Sequence, residues 1–415
     1  MEFVYENSVT RQDALRELCD RWDVRRESQI VPLDTAFGRV TACDVRALCS
    51  LPLKRSSKRD GIAVRSADFA NGMPDTAAWR RGWDFEQADT GDDFPDAFDA
   101  VIAVEDIAYD VDGSLRIVGE NLDVRPGAAV NPCGSIVREG DVVVPAHTRL
   151  TPELAASLAI GGHAQVRVLR RPNVAYIPTG GELIPYGSYP QRGQNIEANS
   201  LMVQGMLTEW GAEALCYPIV RDDRAALEAA LDRALETADI VLVNGGSSRG
   251  EEDFNSSMLE ERGDYFRHGV RAIPGRPVGM ALIDGVPVIN VPGPVLAAFL
   301  CMDWLIKGLV AHYLGVPKPR RHMVRARMAE DLKKPLAFER LSRVSLRADG
   351  VGGLVCVPLP FDRSVPNALL ESDGILVLPI GCAGVDAGDE VGVELLRPLE
   401  LIEAMPLAIN GGDVL

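Results

Sequence analysis

The hydrophobic positions of this chain change period several times, and each change marks an element. Leu15, Leu18 and Trp22 recur at helical spacing behind Thr10 and Asp13, a capping pair, so residues 8–22 are predicted to be a helix. Residues 28–33 read as a strand. From about 70 to 150 the texture turns to short alternating runs, such as 100–104 and 115–118, separated by Gly, Asp and Pro. That is the pattern of a small β-rich module. Thr151-Pro152-Glu153 opens another helix with proline in its first turn, Gly161-Gly162 ends it, and Gln165–Leu169 follows as a strand.

The most informative stretch is 173–253. Asn173-Val174-Ala175-Tyr176-Ile177-Pro178 runs into Thr179-Gly180-Gly181-Glu182-Leu183. Ile240-Val241-Leu242-Val243-Asn244 runs into Gly245-Gly246-Ser247-Ser248-Arg249-Gly250-Glu251-Glu252-Asp253. Between them, 199–210 carries Val203, Met206, Leu207 and Trp210 on one helical face and stops at Gly211, while 223–238 repeats the pattern with Leu227, Leu231, Ala234 and Leu235. An apolar strand, a polar glycine turn and a helix, used twice, describe an open α/β sheet with a ligand crevice at its strand ends.

Further on, Val286–Val291 is a buried-strand candidate that ends in Pro292-Gly293-Pro294. The apolar run 295–314 is interrupted by Asp303, Lys307 and His312, which favours a core helix over a membrane span. Val316-Pro317-Lys318-Pro319-Arg320-Arg321 has the make-up of a linker. Beyond it, Met323–Met328, 343–346, 354–357, Gly374–Leu378 and Glu390–Leu395 are strand-length pieces joined by Gly/Asp turns, a small β domain.

Composition narrows the function classes. At 415 residues the chain exceeds one ordinary core, so two to four domains are expected. A net charge of −17 argues against broad binding to nucleic acid or an anionic membrane, because phosphate neutralisation needs a basic face. The eight cysteines are scattered without a C-x-x-C, the usage of reduced cytosolic thiols. Met1-Glu2-Phe3-Val4-Tyr5-Glu6 has neither the basic nor the apolar region of a signal peptide, so a cytoplasmic protein is expected.

The turns carry the candidate chemistry. In 245–250 the glycines allow backbone N–H groups to approach an anion, Ser247 and Ser248 add donors, and Arg249 can pair with a phosphate bidentately. A turn that only needs a positive φ would look the same. Glu251, Glu252 and Asp253 beside a phosphate suit a Mg²⁺ ion shared with substrate, or merely the acids that helix N-termini favour. Asp60-Gly61, Thr90-Gly91 and Asp222-Asp223 are ordinary turn pairs when taken singly. The five histidines are dispersed, without metal-ligand spacing, and no G-x-S-x-G is present.

Taken in order, these pieces resemble a known family. Ser57-x-x-Asp60-Gly61-x-Ala63-Val64 resembles the S-x-M-D-G-Y-A-V segment of the MoeA-type molybdopterin molybdenumtransferases, which include the gephyrin E domain. Thr179-Gly180-Gly181-Glu182-Leu183 is similar to that family's T-G-D-E-L, and 245–253 to its G-G-x-S-x-G-x-x-D. Ile273-Pro274-Gly275-Arg276-Pro277 is similar to K-P-G-K-P, Val291-Pro292-Gly293 to the start of L-P-G-N-P, and Val124-Arg125-Pro126-Gly127 to a further arginine-glycine loop.

The resemblance implies a multi-domain α/β and β protein. Residues 1–170 would be an elongated N-terminal, dimer-forming region with a β-rich insert at about 50–148. Residues 171–317 would be a three-layer α/β molybdopterin-binding domain, and 318–415 a C-terminal β-barrel-like domain. The implied activity is insertion of molybdate or tungstate into adenylylated molybdopterin, with Mg²⁺-assisted release of AMP. Implied partners are a second copy of the chain, a molybdopterin adenylyltransferase and molybdoenzyme acceptors.

Carried over by position, Asp60, Thr90, Glu182, Asp222 and Asp253 fall on acidic or hydroxyl positions of the family's catalytic site, with Glu182 and Asp253 at the metal and Asp60 supplied by the partner subunit. Thr179, Gly180, Gly245, Gly246, Ser247, Ser248, Arg249, Gly250, Arg276, Pro292 and Gly293 would hold the pterin nucleotide.

The chain also departs from the pattern. Gly181 stands for the aspartate of T-G-D-E-L, Ala129 for an acid after the arginine-glycine loop, and Ile62 for the tyrosine of D-G-Y-A. Ile273 and Gly269 stand where the family has lysines, and Pro294-Val295 replaces N-P. These changes keep a second reading open: a catalytically altered paralogue that binds a molybdopterin nucleotide for storage, delivery or scaffolding.

Overall fold

The computed structural model describes residues 8–245, 254–350, 352–360 and 371–403. The chain divides into two compact units, Glu27–Arg170 and the combination of Met1–Arg26 with Arg171–Leu415.

In chain order, α1 (Arg11–Arg21) comes first and belongs with 171–415. Its cap is the expected one: the Asp13 N–H donates to Thr10 Oγ1 at 3.0 Å, and Ala14 and Leu18 are fully buried beneath it. The helix is shorter than 8–22 because Val9 is drawn into a backbone bridge with Val270 and gives its carbonyl to the Arg271 N–H. That pairing demands extended backbone.

The Glu27–Arg170 unit opens with β1 (Ser28–Pro32). Its insert holds β2 (Gly61–Val64), β3 (Phe85–Ala88) and β4 (Ala100–Ala103), with β2 between the other two in an antiparallel sheet. Alternate residues feed two cores. Ile62, Val64, Phe85, Ala100 and Ile102 point into one, and Ala63, Ala88 and Val101 into the other with Phe94 and Phe98. Burial on both faces explains why β4 reads as a continuous apolar run rather than an alternation. Next, α2 (Pro152–Ile160) is capped by Thr151, and β5 (Gln165–Leu169) returns to pair antiparallel with β1.

The α/β part is built from β6 (Asn173–Pro178), α3 (Asn199–Trp210), β7 (Glu213–Cys216), α4 (Arg224–Leu235), β8 (Ile240–Asn244), α5 (Phe254–Arg262), β9 (Tyr265–His268), β10 (Gly279–Ile283) and β11 (Val286–Val291). The sheet runs β7-β6-β8-β11-β10-β9. Its first four strands are parallel, and β10 and β9 complete it antiparallel. Ala175, Ile177, Val241, Val243 and Val288 face a core closed by α4 and α5. Strand alternation turns Val174, Tyr176, Leu242 and Ile289 to the other face, where α3 and the helix after β11 pack. That makes three layers. The ends of α3 and α4 follow local rules: Gly211 closes α3 at φ 87°, and Asp223 Oδ1 accepts the Ala226 N–H at 2.8 Å to start α4.

The helix after β11 is continuous over Val295–Leu314 but not uniform. Regular turns α6 (Val295–Cys301) and α7 (Lys307–Leu314) flank a π turn at Met302–Ile306. It is long and apolar enough to cross a membrane, yet 72% of its apolar window is buried in the protein. It is the core helix that the sequence predicts.

The C-terminal strands are β12 (Met323–Met328), β13 (Glu339–Ala348), β14 (Leu354–Pro358), β15 (Gly374–Leu378) and β16 (Glu390–Leu395). They pair in the order β13-β14-β12-β16-β15, and β15 pairs back onto β13 to close a barrel. Val344, Cys356 and Val393 are fully buried inside it.

Candidate functional site

The parallel strands finish together. The register sets Pro178 opposite Asn244, and Asn244 opposite Val291, so the loops after β6, β8 and β11 leave the sheet along one edge. A crevice outside the carboxyl ends of such strands is where open α/β sheets take ligands.

Buried amides stitch this edge together. Asn244, 3% exposed, donates through Nδ2 to the carbonyls of Val291 at 3.2 Å and Pro292 at 2.9 Å. Its Oδ1 accepts from Asn199 Nδ2 at 3.1 Å, and the same Asn199 amide donates to the Gly293 carbonyl at 2.8 Å. On the other side, Thr179 gives its N–H to the Asn244 carbonyl at 2.8 Å. Asn255 Nδ2, from α5, reaches Thr179 Oγ1 at 3.3 Å and the Gly245 carbonyl at 2.8 Å. Three loops from distant parts of the chain are thus held by side chains that water does not reach.

Glycine is required here for space. At Gly245, φ 118°, a Cβ would lie 2.5 Å from the Thr179 carbonyl oxygen and 2.7 Å from Thr179 Oγ1. Any side chain would push the β6 and β8 loops apart.

The acids frame the β6 loop. Gly180 donates its N–H to the Val220 carbonyl at 3.1 Å, and Gly181 donates to Asp222 Oδ2 at 2.7 Å. The Asp222 carboxylate therefore stands over Gly181, with Oδ2 3.3 Å from where a Cβ would sit. Glu182, next in sequence, is exposed, as is Asp222. Arg276 lies in the turn before β10, whose first residue Gly279 pairs with Asn290 near the end of β11, so it enters the sheet at this same edge. Its guanidinium sits over the Phe338 ring, 5.6 Å from the centroid.

Asp60 and Thr90 come together in the Glu27–Arg170 unit. The Thr90 N–H donates to Asp60 Oδ1 at 2.6 Å. That backbone bond, and then the Thr90 hydroxyl, hold the Asp60 carboxyl below the usual carboxylate range. At Gly61 a Cβ would run into the Ile102 carbonyl oxygen, so the residue after Asp60 has to be glycine.

Of the residues singled out from sequence, then, Thr179, Gly180, Gly245, Pro292 and Gly293 meet at one sheet edge with Glu182 and Asp222 beside them, while Asp60 pairs with Thr90. Gly246, Ser247, Ser248, Arg249, Gly250 and Asp253 lie outside the described residues. The sequence reading gave no role to Asn199, Asn244 and Asn255. A hint was present, because Asn244 closes an apolar strand where an amide is unfavourable unless its polar atoms are satisfied. Among the described residues no three His, Cys, Asp or Glu side chains cluster as a metal cage.

Comparison with known proteins agrees with this architecture region by region. Residues 9–162 match the MoeA N-terminal region (domain I and II), 175–312 a probable molybdopterin binding domain, and 318–396 the MoeA C-terminal region (domain IV). The chain is 26% identical over 403 residues to the molybdopterin molybdenumtransferase of Bacillus subtilis, covering 93% of each chain. It is 29% identical over 388 residues to molybdopterin molybdenumtransferase 2 of Mycobacterium tuberculosis, covering 88% of this chain and 94% of that one. Among solved structures, a molybdopterin biosynthesis MoeA protein from Pyrococcus horikoshii superposes with a TM-score of 0.79 at 26% identity, over 94% of this chain and 100% of that one. With all three regions present in order and the likeness running the length of both chains, this protein belongs to the MoeA family.

Proposed function

We propose that this protein is a molybdopterin molybdenumtransferase, inserting molybdate or tungstate into adenylylated molybdopterin with release of AMP. The observation that carries the reading is the edge where Thr179, Gly180, Gly245, Pro292 and Gly293 converge beside Glu182 and Asp222. A pyrophosphate-linked ligand needs close backbone approach, which the glycines at 180 and 245 permit, and a rigid frame, which the buried amides supply. In this reading the 245–250 turn cradles phosphate, and Arg249 and Arg276 add positive charge.

Magnesium fits the donor set as a shared ion. Mg²⁺ prefers one or two carboxylates, several waters and substrate phosphate oxygens over an all-protein cage. Glu182 and Asp253 are the residues that would hold it. Bound there, it would neutralise charge on the phosphates as AMP leaves. Asp222 orients the β6 turn through the Gly181 N–H. Asp60, kept ionised by Thr90, contributes a further carboxylate from the partner subunit. The proposal includes a homodimer, a cytoplasmic location, and hand-over from an adenylyltransferase and to molybdoenzymes.

The test is Mg²⁺-dependent AMP release from adenylylated molybdopterin with molybdate, tungstate or neither. Asp253→Ala and Glu182→Gln are expected to abolish it, and full activity in either would refute the metal assignment. The second reading, a binding-only paralogue, draws on Gly181 and Ile273 standing where the family has an acid and a lysine. It requires nucleotide affinity by calorimetry without turnover on either oxyanion. Light scattering that returned a mass near 44.9 kDa would remove the dimer.

A further inference from the structure

A second cleft, of about 570 Å³, lies between α3, the Val295–Leu314 helix and the ends of the C-terminal barrel. Trp210, on its wall, is three residues ahead of β7, so the cleft sits toward the amino ends of the strands, away from the loops described above. Its volume is in the range of small-molecule pockets.

The chemistry of its lining is unbalanced. Lys307 is only 8% exposed, yet its ammonium reaches a single acceptor among the described residues, Asp303 Oδ1 at 3.1 Å. Asp303 is already taken by Arg321, whose Nη2 donates to Oδ1 at 2.9 Å and whose Nε donates to Oδ2 at 3.2 Å. Arg397, also on the cleft, is matched by Asp373 at 3.4 Å. Lys307 and Arg321 therefore share the single carboxylate of Asp303. Glu209, an exposed carboxylate, also lines the cleft. An ammonium has three donors, and burying it with one shared acceptor is costly unless another arrives.

The helix is built to place that charge. Within the π turn the Lys307 N–H donates to the Met302 carbonyl, five residues back, and both Asp303 and Lys307 line the cleft. Such π turns concentrate at functional sites. Met206, Trp210 and Phe299 supply apolar walls, and Lys307 Nζ lies 5.9 Å from the Trp210 ring centroid.

We propose that this cleft binds a small organic anion, a carboxylate or phosphate ester on a flat apolar body, with the charged group on Lys307 and the body between Trp210 and Phe299. The experiment is calorimetry on the full chain with phenylacetate, phenyl phosphate and, as the neutral counterpart, benzyl alcohol. At least one anion is expected to bind ten-fold or more tightly than benzyl alcohol, and which arm binds assigns carboxylate or phosphate. Lys307→Met should weaken that binding at least ten-fold. Should that variant fail to fold, Met206→Trp, which fills the cleft and leaves the ion network intact, is expected to remove binding equally. Anions no tighter than the alcohol, or affinity unchanged in the variant that folds, would overturn the assignment.

Discussion

Asn244→Ala is the sharpest probe of the strand-end frame. The substitution removes two donations, to Val291 and Pro292, and one acceptance, from Asn199. Each intramolecular hydrogen bond contributes about 1 kcal/mol net. The partners left behind are not equal, however. The Val291 carbonyl keeps the Gly245 N–H at 3.2 Å, and the Asn199 amide keeps the Gly293 carbonyl. Pro292 loses the donor that Asn244 supplies, and a buried carbonyl without a partner costs about 1–3 kcal/mol more. The total is about 4–6 kcal/mol, large against ordinary domain stability. With two compact units in the chain, the effect is best read locally, by hydrogen exchange of peptides covering 174–178, 240–244 and 286–291. A loss of protection of about a hundred-fold or more is expected there, with 61–64 and 100–103 unchanged. Asn244→Asp supplies the control. It keeps the shape and the Oδ1 acceptor but turns an anionic oxygen toward two carbonyls, so it should be at least as damaging as alanine at pH 7. An aspartate variant with wild-type protection, or an alanine variant within about 1 kcal/mol of wild type, would show that Asn244 fills space rather than ties the loops.

Other perturbations probe separate features. Gly245→Ala forces a Cβ against the Thr179 backbone at a left-handed φ; thermal melts should show a loss of about 2–4 kcal/mol, and an unchanged midpoint would contradict the close approach. Thr90→Val removes a hydroxyl donor from Asp60 and leaves the backbone N–H. An NMR titration should then find the Asp60 pKa moved up toward the ordinary carboxylate range without reaching it. Lys318 is a half-buried lysine whose ammonium donates to the Trp304 carbonyl at 2.7 Å, and burial pushes its pKa down from 10.5 to about 8. Because its folded pKa lies below the unfolded value, the folded state holds fewer protons between about pH 8 and 10.5, and wild-type stability gains as pH rises through that window. At pH 7 the charged lysine therefore costs stability, on the order of a few kcal/mol. Lys318→Met should therefore stabilise at pH 7, and melts at pH 7 and 10 should show that advantage shrinking; a constant difference would refute it.

Much of this protein was legible in its residues. Helices announced themselves through caps and apolar spacing, as at Thr10, Thr151 and Gly211, and the parallel strands through short apolar runs emptying into glycine turns. Such signals are local, because a period or a cap is complete within a few residues. The antiparallel strands β9 and β10 were not foreseen. Gly279–Ile283 is a short run buried throughout, without alternation, and Tyr265–His268 is a half-buried edge strand. Neither displays a period that separates strand from other buried segments.

What pairs with what lay further out of reach. The resemblance suggested a barrel, but its closure depends on β15 meeting β13, which no pattern within either strand specifies. The site divides in the same way. Glycines 180 and 245 marked the turns, but the frame that makes them one site joins Asn199, Asn244, Asn255 and Gly293, whose common signal is only that each is polar or small. That Lys307 must share its one carboxylate depends on Arg321 reaching Asp303 from beyond the linker. Sequence determined the elements because local backbone preferences are short-ranged. Only the tertiary structure decided the site, because satisfying a buried polar group requires partners that the fold alone brings within three ångströms.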